Sequence, residues 1–278
     1  MSLRNKAMMV QLTISAWTGK VQDKRITTEI HQQHQARDAG RFTKNLLEKK
    51  DLGEITGIIQ EARLFHDTNS LPWLTPFRLM TVEGFDHYNN RMIALKARYD
   101  QAVIDFIKCY PETIERNRER LNGMFNAEDY PARHELEDRF SFKVRYQPIP
   151  NEADFRIDLH QDHVEAMKRD LMAEQQELVD LAARKLWIWL KEAVQRAHEA
   201  LDNPKGRLYQ TTFGRFGELA QTITMLNLTE DRTLEDLATE TRTLMEAIDL
   251  DRVKSEPTLR KETAQETNAL LDKINAYL

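Results

Sequence analysis

Histidine is the residue whose spacing most directly suggests chemistry. Two pairs occur, His31-Gln-Gln-His34 and His160-Gln-Asp-His163. On a helix, positions i and i+3 share a face, so each pair could offer two imidazoles to one metal ion. Glu29 or Asp38 beside the first pair, and Asp158, Asp162 or Glu165 beside the second, could complete a ligand set. Neither pair has the His-Glu-x-x-His form, and His66, His87, His134 and His198 are scattered. Solvated surface histidines explain the same letters. The reading is no metal and no cofactor, with His160 and His163 as the residues to inspect.

Other catalytic groupings are missing. The lone Cys109 stands on an apolar helical stretch between Lys108 and Tyr110, where a packed thiol is expected rather than a nucleophile. One cysteine also excludes an internal disulfide framework and fits a reducing compartment. There is no Gly-x-x-x-x-Gly-Lys-Ser/Thr phosphate loop and no Gly-x-Gly-x-x-Gly fingerprint. Carboxylates are plentiful, but solvated helix faces account for them. The chain reads as no enzyme.

Binding is the better prospect. Residues 1–50 hold 10 Lys+Arg against 4 Asp+Glu, whereas the whole chain has a net charge of −5. A basic first segment on an acidic body suits a nucleic-acid arm, or an electrostatic clasp onto the protein itself or an acidic partner. The nucleic-acid reading uses Lys20, Lys24, Arg25, Arg41 and Lys44. It adds Arg215 from Phe213-Gly-Arg-Phe-Gly217, where two aromatics could stack on bases. The competing reading of that segment buries both Phe side chains while Gly214 and Gly217 admit a neighbouring helix. Trp73, Trp187 and Trp189 are the candidate protein-contact residues. Leu186-Trp-Ile-Trp-Leu190 is apolar all round a helix and needs cover on every side, from this chain or from another molecule.

The elements that would carry these residues are mostly helical. With 31% charged residues, 9 Gly and 8 Pro, the composition favours long solvent-laced helices over a turn-rich β protein. Asp158–Asn203 is free of Gly and Pro and predicts one helix of roughly 65 Å. A second runs over Thr81–Asn122, kinked by Pro111 near Cys109. Antiparallel packing of these two is expected, because Glu174 and Gln175 interrupt any coiled-coil seam. Further helices are predicted over Thr27–Lys50, Glu54–His66, Asp129–Arg139, Arg207–Leu226, Thr233–Ile248 and Pro257–Tyr277. Asp67–Pro76 reads as a loop pinned by Trp73. Alternation marks two strands, Val10–Trp17 and Phe140–Gln147, expected to pair with each other.

The fold class expected is therefore mainly α: an elongated multi-helix bundle with long antiparallel helices and a small two-stranded β element. Its organisation is a region 1–150 carrying both strands and a region 151–278 with the long helix and a C-terminal bundle, in one continuous core. No 18-residue apolar run or signal-peptide core is seen, so a cytoplasmic protein without a membrane span is expected.

Four local features together resemble a phage and mobile-element family known only as domain-of-unknown-function family 3150. They are Ile14-Ser-Ala-Trp17-Thr-Gly19, Asp129-Tyr130-Pro131, Phe140-x-Phe142 running into Pro148-Ile-Pro150, and Leu226-Asn-Leu228. The resemblance spans most of the chain and implies no activity and no catalytic residues. It implies a partner instead, since such genes neighbour MoxR-like AAA ATPases and von Willebrand-type adaptors. The functional expectation is a non-enzymatic scaffold or adaptor whose partner is an AAA ATPase or a second copy. A nucleic-acid-binding protein is the alternative.

Overall fold

Proline and capping residues set many of the element boundaries in this computed structural model, which describes residues 3–150, 161–203 and 206–278. A short helix α1 (Leu3–Lys6) leads into β1 (Ala7–Ser15) and then β2 (Lys20–Gln22). Asp23 caps α2 (Lys24–Gln33), accepting from the Ile26 amide. Next come β3 (Thr43–Asn45), α3 (Gly53–Thr68), β4 (Leu71–Pro72) and β5 (Arg78–Thr81). α4 (Val82–Lys108) gives way to α5 (Tyr110–Leu121) at Cys109, because Pro111 has no amide to continue the helical ladder. After α6 (Arg133–Glu137) and β6 (Ser141–Gln147), α7 (Gln161–Asp202) runs unbroken for 42 residues, about 63 Å. The rest is helical: α8 (Gln210–Phe213), α9 (Phe216–Leu226), α10 (Arg232–Glu246), α11 (Leu250–Ser255) and α12 (Pro257–Asn275). Asp231 caps α10, and Pro257 occupies the first turn of α12, where a missing amide costs nothing.

The chain is mainly α, with a four-stranded sheet in the order β4-β5-β1-β6 and a separate two-stranded ribbon, β2-β3. The expected neighbours, β1 and β6, are adjacent. The sheet is larger than sequence alternation indicates, because β4 and β5 form an antiparallel hairpin with Leu71 opposite Leu79. β5 in turn pairs antiparallel with β1, Ala7 opposite Thr81.

Two compact units divide these elements, and neither is continuous in sequence. Unit one takes 1–11, 67–88 and 146–278; unit two takes 12–66 and 89–145.

In unit one, α12 lies along α7. From Ala182 onward α7 buries Leu186, Trp187, Leu190, Val194, Ala197 and Leu201, a stripe stepping mostly by four. The facing residues of α12 include Ala264, Leu270, Leu271 and Ile274. The long partner of α7 is thus α12 rather than the Thr81–Asn122 stretch. Arg260 fastens the end of this pair, its guanidinium donating to the Ala200, Leu201, Asn203 and Gly206 carbonyls. Those carbonyls lie at or beyond the end of a helix, where intrahelical partners run out.

In unit two, the apolar stripe of α4 is consumed locally: Met92, Leu95, Tyr99, Ala102 and Phe106 are buried. The aromatic rings of Trp17, Tyr110, Phe106 and Phe140 form a run of contacts, each 5.9 Å between centroids. The predicted helix over Thr27–Lys50 is corrected here. It ends at Gln33, Gln35 and Asp38 adopt left-handed φ of 51° and 52°, and the chain returns as β3.

Candidate nucleic-acid and protein-binding surfaces

The basic segment is organised by one inward-pointing cation. In the antiparallel β2-β3 ribbon, Lys20 stands opposite Asn45, Val21 opposite Lys44 and Gln22 opposite Thr43. Side chains alternate across such a ribbon, so Lys20, Gln22, Thr43 and Asn45 share one face and all are exposed. Val21 and Lys44 take the other. Lys44 is only 5% exposed; its ammonium lies 2.6 Å from an Asp129 carboxylate oxygen and 3.3 Å from Asp23, and donates to the Met124 carbonyl at 2.9 Å. Burial opposes its charge, yet hydrogen bonds to Asp129 and Asp23 outweigh this and raise its pKa above the usual 10.5. The Ile26 amide, with Lys44 assisting against burial, lowers Asp23 below its usual 3.8.

Neighbouring bonds hold the ribbon in register. The Tyr130 hydroxyl donates to the Leu46 carbonyl at 2.9 Å, and Arg120 donates to the Asn45 carbonyl at 2.7 Å. Gly19 accepts from the Leu46 amide at 2.7 Å with φ of 62°, and a Cβ there would sit 2.7 Å from Leu47 Cδ1. Only glycine suits that turn. The nucleic-acid-binding role expected of Lys44 is therefore corrected: it is an internal clasp, since two carboxylates and a carbonyl enclose its charge. Arg25 pairs with Glu29 at 3.1 Å. Lys20, Lys24 and Arg41 remain exposed, with no ion-pair partner among the described residues.

The third cation group divides differently. Phe213 and Phe216 are 4% and 3% exposed, so the stacking role of Phe213–Gly217 is replaced by packing, with Gly214 and Arg215 at the surface. A Cβ on Gly217 would come within 3.2 Å of a Glu246 carboxylate oxygen of α10, whereas one on Gly214 would meet only the Gln210 carbonyl of its own segment, so the expected neighbour lies at Gly217 alone.

Among the tryptophans, Trp73 (8% exposed) and Trp187 (7%) belong to the core of unit one and Trp189 packs half-buried against it. As presented protein contacts Trp73 and Trp187 are corrected, whereas Trp189 keeps part of its ring at the surface. Trp187 donates to Asp231 and stacks on Tyr277 at 5.0 Å, so this chain covers the Leu186, Trp187 and Leu190 side of the apolar girdle, while Ile188 and Trp189 stay half-buried. Cys109 is exposed, not packed, because it occupies the helix break rather than a helical face.

Of the histidines, His31 contacts the Gly40 carbonyl at 3.1 Å through Nε2, and His34 caps the end of α2. His163 lies on the exposed first turn of α7; His160 lies outside the described residues. Among the described residues no group of three or more His, Cys, Asp or Glu side chains is arranged to hold a metal. No described helix is long and apolar enough to cross a membrane.

A surface the sequence did not single out is an open groove of about 370 Å³ in unit two. Val103, Ile104 and Ile107 of α4 form one wall, with Phe140, Arg133 and Glu137 across from them. Ile104 is 59% exposed. Two apolar stripes on one helix are the signal that could have found it: one is buried, and Ile93 and Ile104, eleven residues or about three turns apart, mark the other. Compared with protein-family models, curated proteins and solved structures, the chain finds no match.

Proposed function

We propose that the protein is a non-enzymatic adaptor that seats an amphipathic segment of a partner protein in the groove between α4 and Phe140. The exposure of Ile104 carries this reading. A monomer gains by burying such a side chain, and a branched aliphatic left 59% exposed beside Val103, Ile107 and Phe140 favours an apolar partner. The groove is open rather than enclosed, which suits one or two side chains of a helix better than an engulfed metabolite. Arg133 and Glu137 at its edge offer both charges to a polar rim around an apolar centre. The resemblance to the phage and mobile-element family makes an AAA ATPase the first partner to try.

The test compares wild type with Ile104→Glu, both checked for helicity, in capture from the native host followed by mass spectrometry and direct binding to the recovered protein. A partner bound by wild type and lost by the variant supports the reading. An unchanged set of bound proteins rejects it.

A further inference from the structure

We propose that the outer face of the β2-β3 ribbon is a duplex-DNA-binding surface. This is independent of the α4 groove and rests on the ribbon's register. Lys20 and Gln22 on β2 face the same way as Asn45 and Thr43 on β3, and all four are exposed. The Asp23 amide donates to the Phe42 carbonyl at 3.0 Å, so the two strands stay side by side one residue further. Exposed Lys24 and Arg41 follow at that end. The face thus presents Lys20 beside Asn45 at one end, then Gln22 beside Thr43, with Lys24 and Arg41 following and no acid in the set.

Most of the surrounding acids are neutralised within the fold, exposed Asp38 of the α2-β3 loop being the exception. Asp23 points inward to Lys44, Glu29 pairs with Arg25, Glu48 with Lys50, and Asp51 with Arg116. Lys20, Lys24 and Arg41 are left with uncompensated charge, which attracts a polyanion by counterion release.

Three features favour duplex DNA over other polyanions. Two strands about 4.8 Å apart make a ribbon narrow enough for a major groove about 12 Å wide. Gln, Asn and Thr offer the donors and acceptors that groove edges pair with, whereas an acidic protein surface would use the cations alone. No aromatic stands on this face to stack the bases of a single strand. The ribbon is also preorganised, since Lys44, Tyr130 and Arg120 fix it from behind and beside.

The experiment measures binding of the full chain to a labelled duplex by fluorescence anisotropy across a salt series. Single-stranded DNA and polyglutamate serve as the other probes. The combined variant Lys20→Glu, Lys24→Glu, Arg41→Glu should lose at least about tenfold in affinity at low salt, and its log–log salt slope should flatten by about 3. A control with the same charge change, Arg207→Glu, Arg242→Glu, Lys261→Glu, should stay close to wild type. The neutral variant Gln22→Ala, Thr43→Ala, Asn45→Ala should weaken duplex binding while keeping the slope. Should the charge-reversed protein not fold, the Gln versions of its three positions replace it, judged by the same slope. The proposal is overturned by absent wild-type binding at low salt, by equal losses in ribbon and control variants, or by an unaffected neutral variant. Preference for single strands or polyglutamate overturns it as well.

Discussion

The two units solve the same problem, holding distant segments together, by different means. Unit one has an extended apolar core running from Ala7 and Leu71 through α7 to Ile274, to which Arg260 and Arg78 add hydrogen bonds at its edges. It carries 20 Lys+Arg against 28 Asp+Glu, a balance of −8. Unit two carries 20 against 17, or +3, and ties its short strands down with polar hooks. Lys44 clasps two carboxylates, and the Tyr99, Tyr110 and Tyr130 hydroxyls each donate to a backbone carbonyl of a remote segment. The difference follows from element length. A long helix offers a continuous stripe to bury, whereas a three-residue strand buries too little apolar surface to fix its own position. Directed bonds then decide it, and they leave unit two with the surplus cations.

That contrast can be broken from either side. Leu186→Ala should give the largest effect, a loss of about 3–4 kcal/mol from the α7–α12 core, read as faster amide exchange across α7 and α12. Exchange spreading equally into the β2-β3 ribbon would show that the units do not differ as described.

Lys44→Met should cost about 3 kcal/mol, at the lower end for a broken buried pair because Asp23 and Asp129 keep some water. Exchange should rise at residues 20–22 and 43–46 while α7 stays protected. Unaltered ribbon exchange would show that Lys44 does not hold the ribbon in place.

The pH dependence should follow the same groups. The Asp23 pKa is lowered in the fold, so its stabilisation is present above its usual 3.8 and lost as pH falls through the folded value. Lys44 is raised, so its contribution is full below its usual 10.5 and lost as pH rises through the folded value. Exchange in the ribbon should therefore be slowest between these limits, relative to α7, and Lys44→Met should abolish the alkaline limb while only weakening the acid one, because the Ile26 amide still holds Asp23.

The smallest effect is expected from Tyr130→Phe, about 1 kcal/mol for one buried hydrogen bond. It sharpens the comparison by loosening Leu46 alone, seen in exchange at that amide and its ribbon neighbours.

Much of unit one is readable in advance. Absence of Gly and Pro predicts α7, Thr229 or Asp231 is a candidate cap for α10, and Pro257 suits a first helical turn. Little of the ribbon is. Thr43-Lys-Asn45 hides as a strand because its inward residue is a lysine, which inverts the polarity that alternation is read from. Arg78–Thr81 is likewise too short for a period to emerge. The exposed Ile104 is concealed for the opposite reason: on α4 it is one aliphatic among many, and only packing separates the buried stripe from the open one.

Local physics was thus enough for the mainly α class, the long α7, the existence of β1 and β6 and the basic bias of the first fifty residues, since propensity and alternation act over a few positions. Tertiary structure decided the rest. It chose α12 as the partner of α7, interleaved the chain into two units, buried Trp73 and Trp187, and turned Lys44 inward while leaving Lys20, Lys24 and Arg41 outside. Those outcomes depend on which remote groups meet, and a charge carries no mark in the sequence of whether its counter-charge will be a neighbour, a distant carboxylate or solvent.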